Sequence, residues 1–228
     1  MIASKERYID VYLQGELFLN GMAPTGIDAE KWSVGLDRYP CELEELFGII
    51  PGTNDCLFIK TGRGGTIHGY NGKYITLAGE IYSKYGYTVC VSANPSESSC
   101  DLKREVEYLL SVCPNIERIF FAGISNGALV GAQQAWEIRM IEKMILINGP
   151  LMINWHKTKS GIEKAMDKNV MFVYGDKDPS YRYAELIKLI ESPLCQLYIV
   201  PGADHQFKGM EKEFAEIVDY FVAEGEFR

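Results

Sequence analysis

The sequence predicts an α/β protein: a three-layer sandwich whose mostly parallel sheet of roughly eight strands carries helices on both faces. Three observations lead there. Short apolar runs without polar alternation, such as "CLFIK" (56–60), "RIFFAG" (118–123) and "VMFVYG" (170–175), fit strands buried on both faces. Longer segments with apolar residues at helical spacing alternate with those runs, as parallel crossovers require. Turn-forming glycines and polar residues follow the runs, at the strand ends where ligands sit in such sheets. At 228 residues the chain suits one large domain and can bury a core without a disulfide or metal staple.

The first 50 residues read as β-like: "RYIDVYLQG", "ELFLNG" and "LEELFGII" are separated by Gly, Asn and Pro signals and predict an antiparallel start to the sheet. "CLFIK" is a strand, followed by the glycine-rich "TGRGG". "KYITLAGEIYSKYG" (73–86) has helical spacing and stops at a glycine. "YTVCVSA" (87–93) is a strand. "DLKREVEYLLSVC" (101–113) is a helix, preceded by serines suited to capping it. The strand "RIFFAG" leads into a small-residue helix, "GALVGAQQAWEI". "KMILIN" (143–148) is a strand, "GIEKAMDK" a short helix and "VMFVYG" a strand. "YRYAELIKLIE" is a helix, "QLYIV" (196–200) a strand and "EKEFAEIVDYFVAE" the last helix. Residues 148–169, between two strands, leave room for one short cap helix, and Trp155 and His156 are expected either to line an entrance or to lie in a packed surface turn.

Composition removes several classes of function. The formal charge is −8, and no Lys/Arg-rich run is present, which argues against an extended nucleic-acid surface. No apolar run approaches the roughly 18 residues that a membrane helix needs. The N-terminal "MIASKERYID" has charges where a signal peptide needs an apolar core. The six cysteines are scattered without a C-x-x-C pair, so free thiols in a reducing cytoplasm are expected, and no zinc site.

Between "RIFFAG" and its helix stands Gly123-Ile124-Ser125-Asn126-Gly127. G-x-S-x-G alone is weak, and a capping serine in a plain turn would give the same letters. Strand before and helix after make it a sharp elbow, in which small residues two positions either side avoid a clash and the serine hydroxyl stands proud. A nucleophilic serine needs a base, and the base an orienting carboxylate. Of His68, His156 and His205, the last lies in "VPGADHQF", directly after a strand. The loop "VYGDKDPS" offers Asp176 and Asp178; Asp178 is preferred because it sits deeper in the loop, and it also suits a helix cap before Pro179.

The order Ser125, Asp178, His205, each just past a strand, resembles the α/β-hydrolase superfamily, over nearly the whole chain from about residue 40. The matching stretches are "GISNG", "GDKD" and "GADH". The resemblance implies an eight-stranded, mostly parallel sheet, a Ser125–His205–Asp178 triad, and an oxyanion hole from the backbone N–H groups of Arg63 and Asn126, with Gly64 as the alternative to Arg63. The oxyanion loop, "KTGRGGTIHG", departs from the family's usual His-Gly opening by having Thr61. "SANPSESS" replaces the Asp-x-Arg-Gly-x-Gly stretch of many members, so epoxide-hydrolase or dehalogenase chemistry gains no support. The implied activity is a serine hydrolase, a carboxylesterase first, acting on a small-molecule ester through an acyl-enzyme and needing no metal or organic cofactor. A peptidase, a thioesterase or a non-enzymatic binding protein of the same fold remain open, as does the oligomeric state.

Overall fold

The computed structural model describes residues 47–94, 100–165, 167–190, 192 and 194–223. The expected strands before residue 47, Cys41 and the serines at 96, 98 and 99 lie outside them. The chain divides into two compact units, one ending at Glu117 and one starting at Arg118.

Among the described residues the first unit holds three strands and two α-helices. Strands β1 (Phe47–Ile50), β2 (Thr53–Lys60) and β3 (Tyr87–Ser92) lie in the order β1-β3-β2, with β1 antiparallel and β2 parallel to β3. The antiparallel start is therefore present. Helix α1 (Lys73–Tyr85) ends where expected, with Gly86 left-handed at its C-cap. Helix α2 (Leu102–Val112) is capped by Asp101, whose side chain accepts from the Arg104 amide at 3.2 Å; the sequence had pointed to the serines before it.

The second unit is four parallel strands in the order of the chain: β4 (Arg118–Ile124), β5 (Ile141–Ile147), β6 (Asn169–Gly175) and β7 (Cys195–Val200). Residues of β5 and β6 are almost entirely buried, as unbroken apolar runs require. Helix α3 (Asn126–Gln134) follows β4, and α6 (Glu211–Ala223) follows β7.

Two helices differ from expectation. Helix α4 runs over Trp155–Lys164, starting before the predicted "GIEKAMDK". Gly161 had read as a helix start, but it sits inside the helix, because a Cβ there would stand 2.2 Å from the Ala132 carbonyl oxygen of α3. The predicted "YRYAELIKLIE" helix is instead a 3-10 turn, Pro179–Tyr183, and a single α-turn, α5 (Ala184–Ile187). Its later bonds, Leu189 to Leu186 and Ile190 to Ile187, remain of the tighter three-residue type.

Candidate active site

The second unit carries the three triad candidates on the loops that follow three of its strands, β4, β6 and β7. The first follows β4. Ser125 has φ 54° and ψ −117°, outside the comfortable regions for an L-residue. The strain is held from both sides. The Ser125 amide donates to the Ile147 carbonyl of β5 at 2.8 Å, and its own carbonyl accepts from Ala128 and Leu129 in the first turn of α3. Gly123 is needed for this bend, since a Cβ there would meet the Gly127 carbonyl oxygen at 2.6 Å and the Ala128 Cα at 2.7 Å. The Ser125 side chain does not cap the helix, which removes the plain capping alternative, and the residue is partly exposed.

The loop after β6 carries the two carboxylate candidates, Asp176 and Asp178. Asp178 is buried, and its two carboxylate oxygens have different work. Oδ1 accepts from the Ser180 amide, capping the 3-10 turn with Pro179 at its start. Oδ2 pairs with Nδ1 of His205. The helix cap that the sequence offered and the pairing with a histidine are thus both made by one side chain. Asp176 is exposed and engaged elsewhere, accepting from the Gly202 amide at 2.7 Å.

The loop after β7 carries the candidate base, His205. The Asp178 side chain is fully buried, while that of His205 is 45% exposed, so the pair joins an interior anion to a ring facing outward. Asp204 builds the loop: its Oδ1 accepts from the Gln206 and Lys208 amides at 2.9 and 3.0 Å. Those amides, Lys208 first, hold the Asp204 carboxyl below the ordinary carboxylate range. Phe207 turns the chain at φ 56° and buries its ring edge-on against Phe214 of α6, centroids 5.5 Å apart. Among the described residues no hydrogen bond joins Ser125 to His205.

His156 is exposed on α4. His68 lies in the first unit, where burial lowers its pKa and keeps the ring neutral. Arg63 is exposed in the loop after β2, also in the first unit. The alternative oxyanion donor, the Gly64 amide, is already bound to the Asn94 carbonyl at 2.6 Å, so the expectation attached to it is corrected. Asn126 is the first residue of α3.

One residue of this region escaped the sequence reading. Asn148, the residue after β5, is fully buried and left-handed at φ 51°. Its side chain links the loops that carry the acid and the histidine. The dipeptide Asn148-Gly149 is a turn signal and was the one available hint.

No family model and no curated protein matches the sequence. Solved structures do. Est1E from Butyrivibrio proteoclasticus superposes with a TM-score of 0.59 at 16% identity, covering 78% of this chain and 94% of that one. An alpha-beta serine hydrolase homologue from Coxiella burnetii gives 0.58 at 21% identity, covering 78% and 91%. XC6422 from Xanthomonas campestris, described as an a/b serine hydrolase without lid, gives 0.57 at 17% identity, covering 77% and 87%. With the strand order and the elbow, these likenesses define the class: the chain has the α/β-hydrolase fold. Among the described residues no cluster of His, Cys, Asp and Glu could hold a metal ion, and no helix is long and apolar enough to cross a membrane.

Proposed function

We propose that the protein is a serine hydrolase of small carboxylic esters, with Ser125 as nucleophile, His205 as general base and Asp178 as the orienting carboxylate. The observation that carries this reading is the buried Asp178 paired with the outward-facing His205, on the loops after β6 and β7 of the parallel strands whose β4 ends in the strained Ser125. A carboxylate on Nδ1 leaves Nε2 as the acceptor. Ser125 Oγ attacks the ester carbonyl carbon as Nε2 takes its proton. The tetrahedral intermediate collapses, the alcohol leaves with that proton, and the acyl group stays on Oγ. Water then repeats the sequence and frees the acid. The Asn126 amide, in the first turn of α3, is proposed as an oxyanion donor. Each such donor is worth roughly 3–4 kcal/mol in the transition state.

A serine–histidine hydrogen bond often tightens only once substrate is bound, so its absence here is compatible with the reading. Esterases among the solved structures of like fold support ester chemistry, and residues 148–169, which carry α4, are proposed as a short cap segment of a single hydrolase domain. The test is an organophosphonate probe together with a panel of oxygen esters, thioesters and amides. Labelling of Ser125 alone and ester turnover lost in Ser125→Ala are expected. Faster thioester or amide cleavage would redirect the substrate class, and a folded protein that neither labels nor turns over would leave a binding protein of this fold.

A further inference from the structure

We propose that Asn148 is a positioning residue that sets the height of His205 relative to Ser125; this rests on the serine-hydrolase reading above. The two reactive loops are referenced to one short stretch, Ile147-Asn148. The Ile147 carbonyl receives the Ser125 amide at 2.8 Å. The next side chain, Asn148, donates from Nδ2 to the carbonyls of Asp204 at 3.2 Å and His205 at 3.3 Å. Its Oδ1 accepts from the Gly175 amide at 2.9 Å, and its own amide donates to Val173 at 2.8 Å. Gly175 in turn accepts from the Asp178 amide at 3.0 Å, which closes the circuit onto the acid loop.

The side-chain chemistry is specific. The site offers one N–H donor and two carbonyl acceptors, and a carboxamide is the short side chain that answers both at once. Aspartate would set an oxygen against the two carbonyls. Leucine would take the side-chain partner from the Gly175 amide and the His205 carbonyl and leave the Asp204 carbonyl only the Phe207 amide, at a position with no exposure of its own. Asparagine also tolerates the left-handed backbone that the turn imposes. The need for such a brace follows from the exposure of the histidine. Asp178 fixes Nδ1, but a ring that is 45% exposed is not wedged by packing, so a second restraint must act through its backbone. Asn148 supplies it from below.

The experiment compares wild type, Asn148→Gly and Asn148→Asp. The glycine variant removes the side chain and keeps the left-handed backbone relaxed; the aspartate variant keeps size and the acceptor for Gly175. In variants folded by circular dichroism, kcat on an activated ester is expected to fall roughly 100-fold, the scale of an ångström-sized misplacement, with KM within about threefold. The rate of Ser125 phosphonylation should fall by a similar factor. Wild-type kcat and labelling rate in a folded Asn148→Gly protein would overturn the proposal. So would a loss that appears in KM alone, or one that follows the unfolded fraction in both variants, which would assign Asn148 to core packing only. Failure of the underlying reading looks different: wild type itself would neither label at Ser125 nor turn over an ester, and the role of Asn148 would fall with it.

Discussion

Each unit contains a carboxylate paired with a basic side chain, and the two pairs are built in opposite ways. In the first unit Lys60 and Glu105 meet at 2.7 Å with side chains 0% and 1% exposed. Lys60 also donates to Ser92 Oγ at 3.0 Å and the Ala93 carbonyl at 2.8 Å, and Ser92 Oγ donates to the second Glu105 oxygen at 2.8 Å. All three ammonium protons and both carboxylate oxygens are used. In the second unit Asp178 is equally deep, but its partner turns almost half its surface outward. A closed network can only hold structure. An open one leaves part of the imidazole accessible, and in the proposed function that ring takes the Ser125 proton and hands it to the leaving alcohol. Burial of the carboxylate is common to both; exposure of its partner is what separates them.

The largest test of that contrast is Asp178→Asn. Its effect should be about a 10⁴-fold fall in kcat on an activated ester, through the wrong imidazole tautomer, with the protein still folded by circular dichroism. The mirror experiment in the first unit, Lys60→Met, should act on stability. It leaves Glu105 buried without its cation and should cost about 3–5 kcal/mol in urea unfolding. Lys60→Met with Glu105→Leu should recover most of that loss, because removing both charges also removes the desolvation cost. If the double variant is no better than the single one, the pair contributes more than it costs.

A smaller effect concerns pH. Burial raises the Glu105 carboxyl above its ordinary value, and Lys60 opposes that shift only in part. The folded state therefore binds more protons than the unfolded one over this window, and wild-type stability should decline as pH rises from about 4.3 through the raised value, then level off. Urea midpoints measured across that range should show the decline in wild type and lose it in the Lys60→Met, Glu105→Leu protein. The smallest effect belongs to Asp176→Asn. Its partner, the Gly202 amide, can still be accepted by an amide oxygen, so stability should move by no more than about 0.5 kcal/mol and kcat should stay far above that of Asp178→Asn.

The sequence made legible what depends on neighbours in the chain. The elbow could be read because strand, glycine, serine and helix follow one another within ten residues. The choice of Asp178 over Asp176 rested on depth in its loop, and the structure pairs His205 with Asp178. What could not be read depends on partners far along the chain. Lys60 looked like the polar end of a strand, and nothing local points to Glu105, 45 positions on. Asn148 bonds residues 56 and 57 positions away. The short α5 and the early start of α4 failed for another reason. Apolar spacing reports which side is buried, but it does not report how close two backbones come, and at Gly161 that closeness decides where the helix can run.

The backbone of Ser125 has a consequence for how this sequence can drift. A residue with positive φ and an L side chain stores about 1–3 kcal/mol, and glycine at the same position would release much of it. Ser125→Gly should therefore melt later than wild type while losing the hydroxyl. Laboratory selection for heat tolerance alone would push this codon toward glycine, and only a screen that also demands chemistry would hold it at serine.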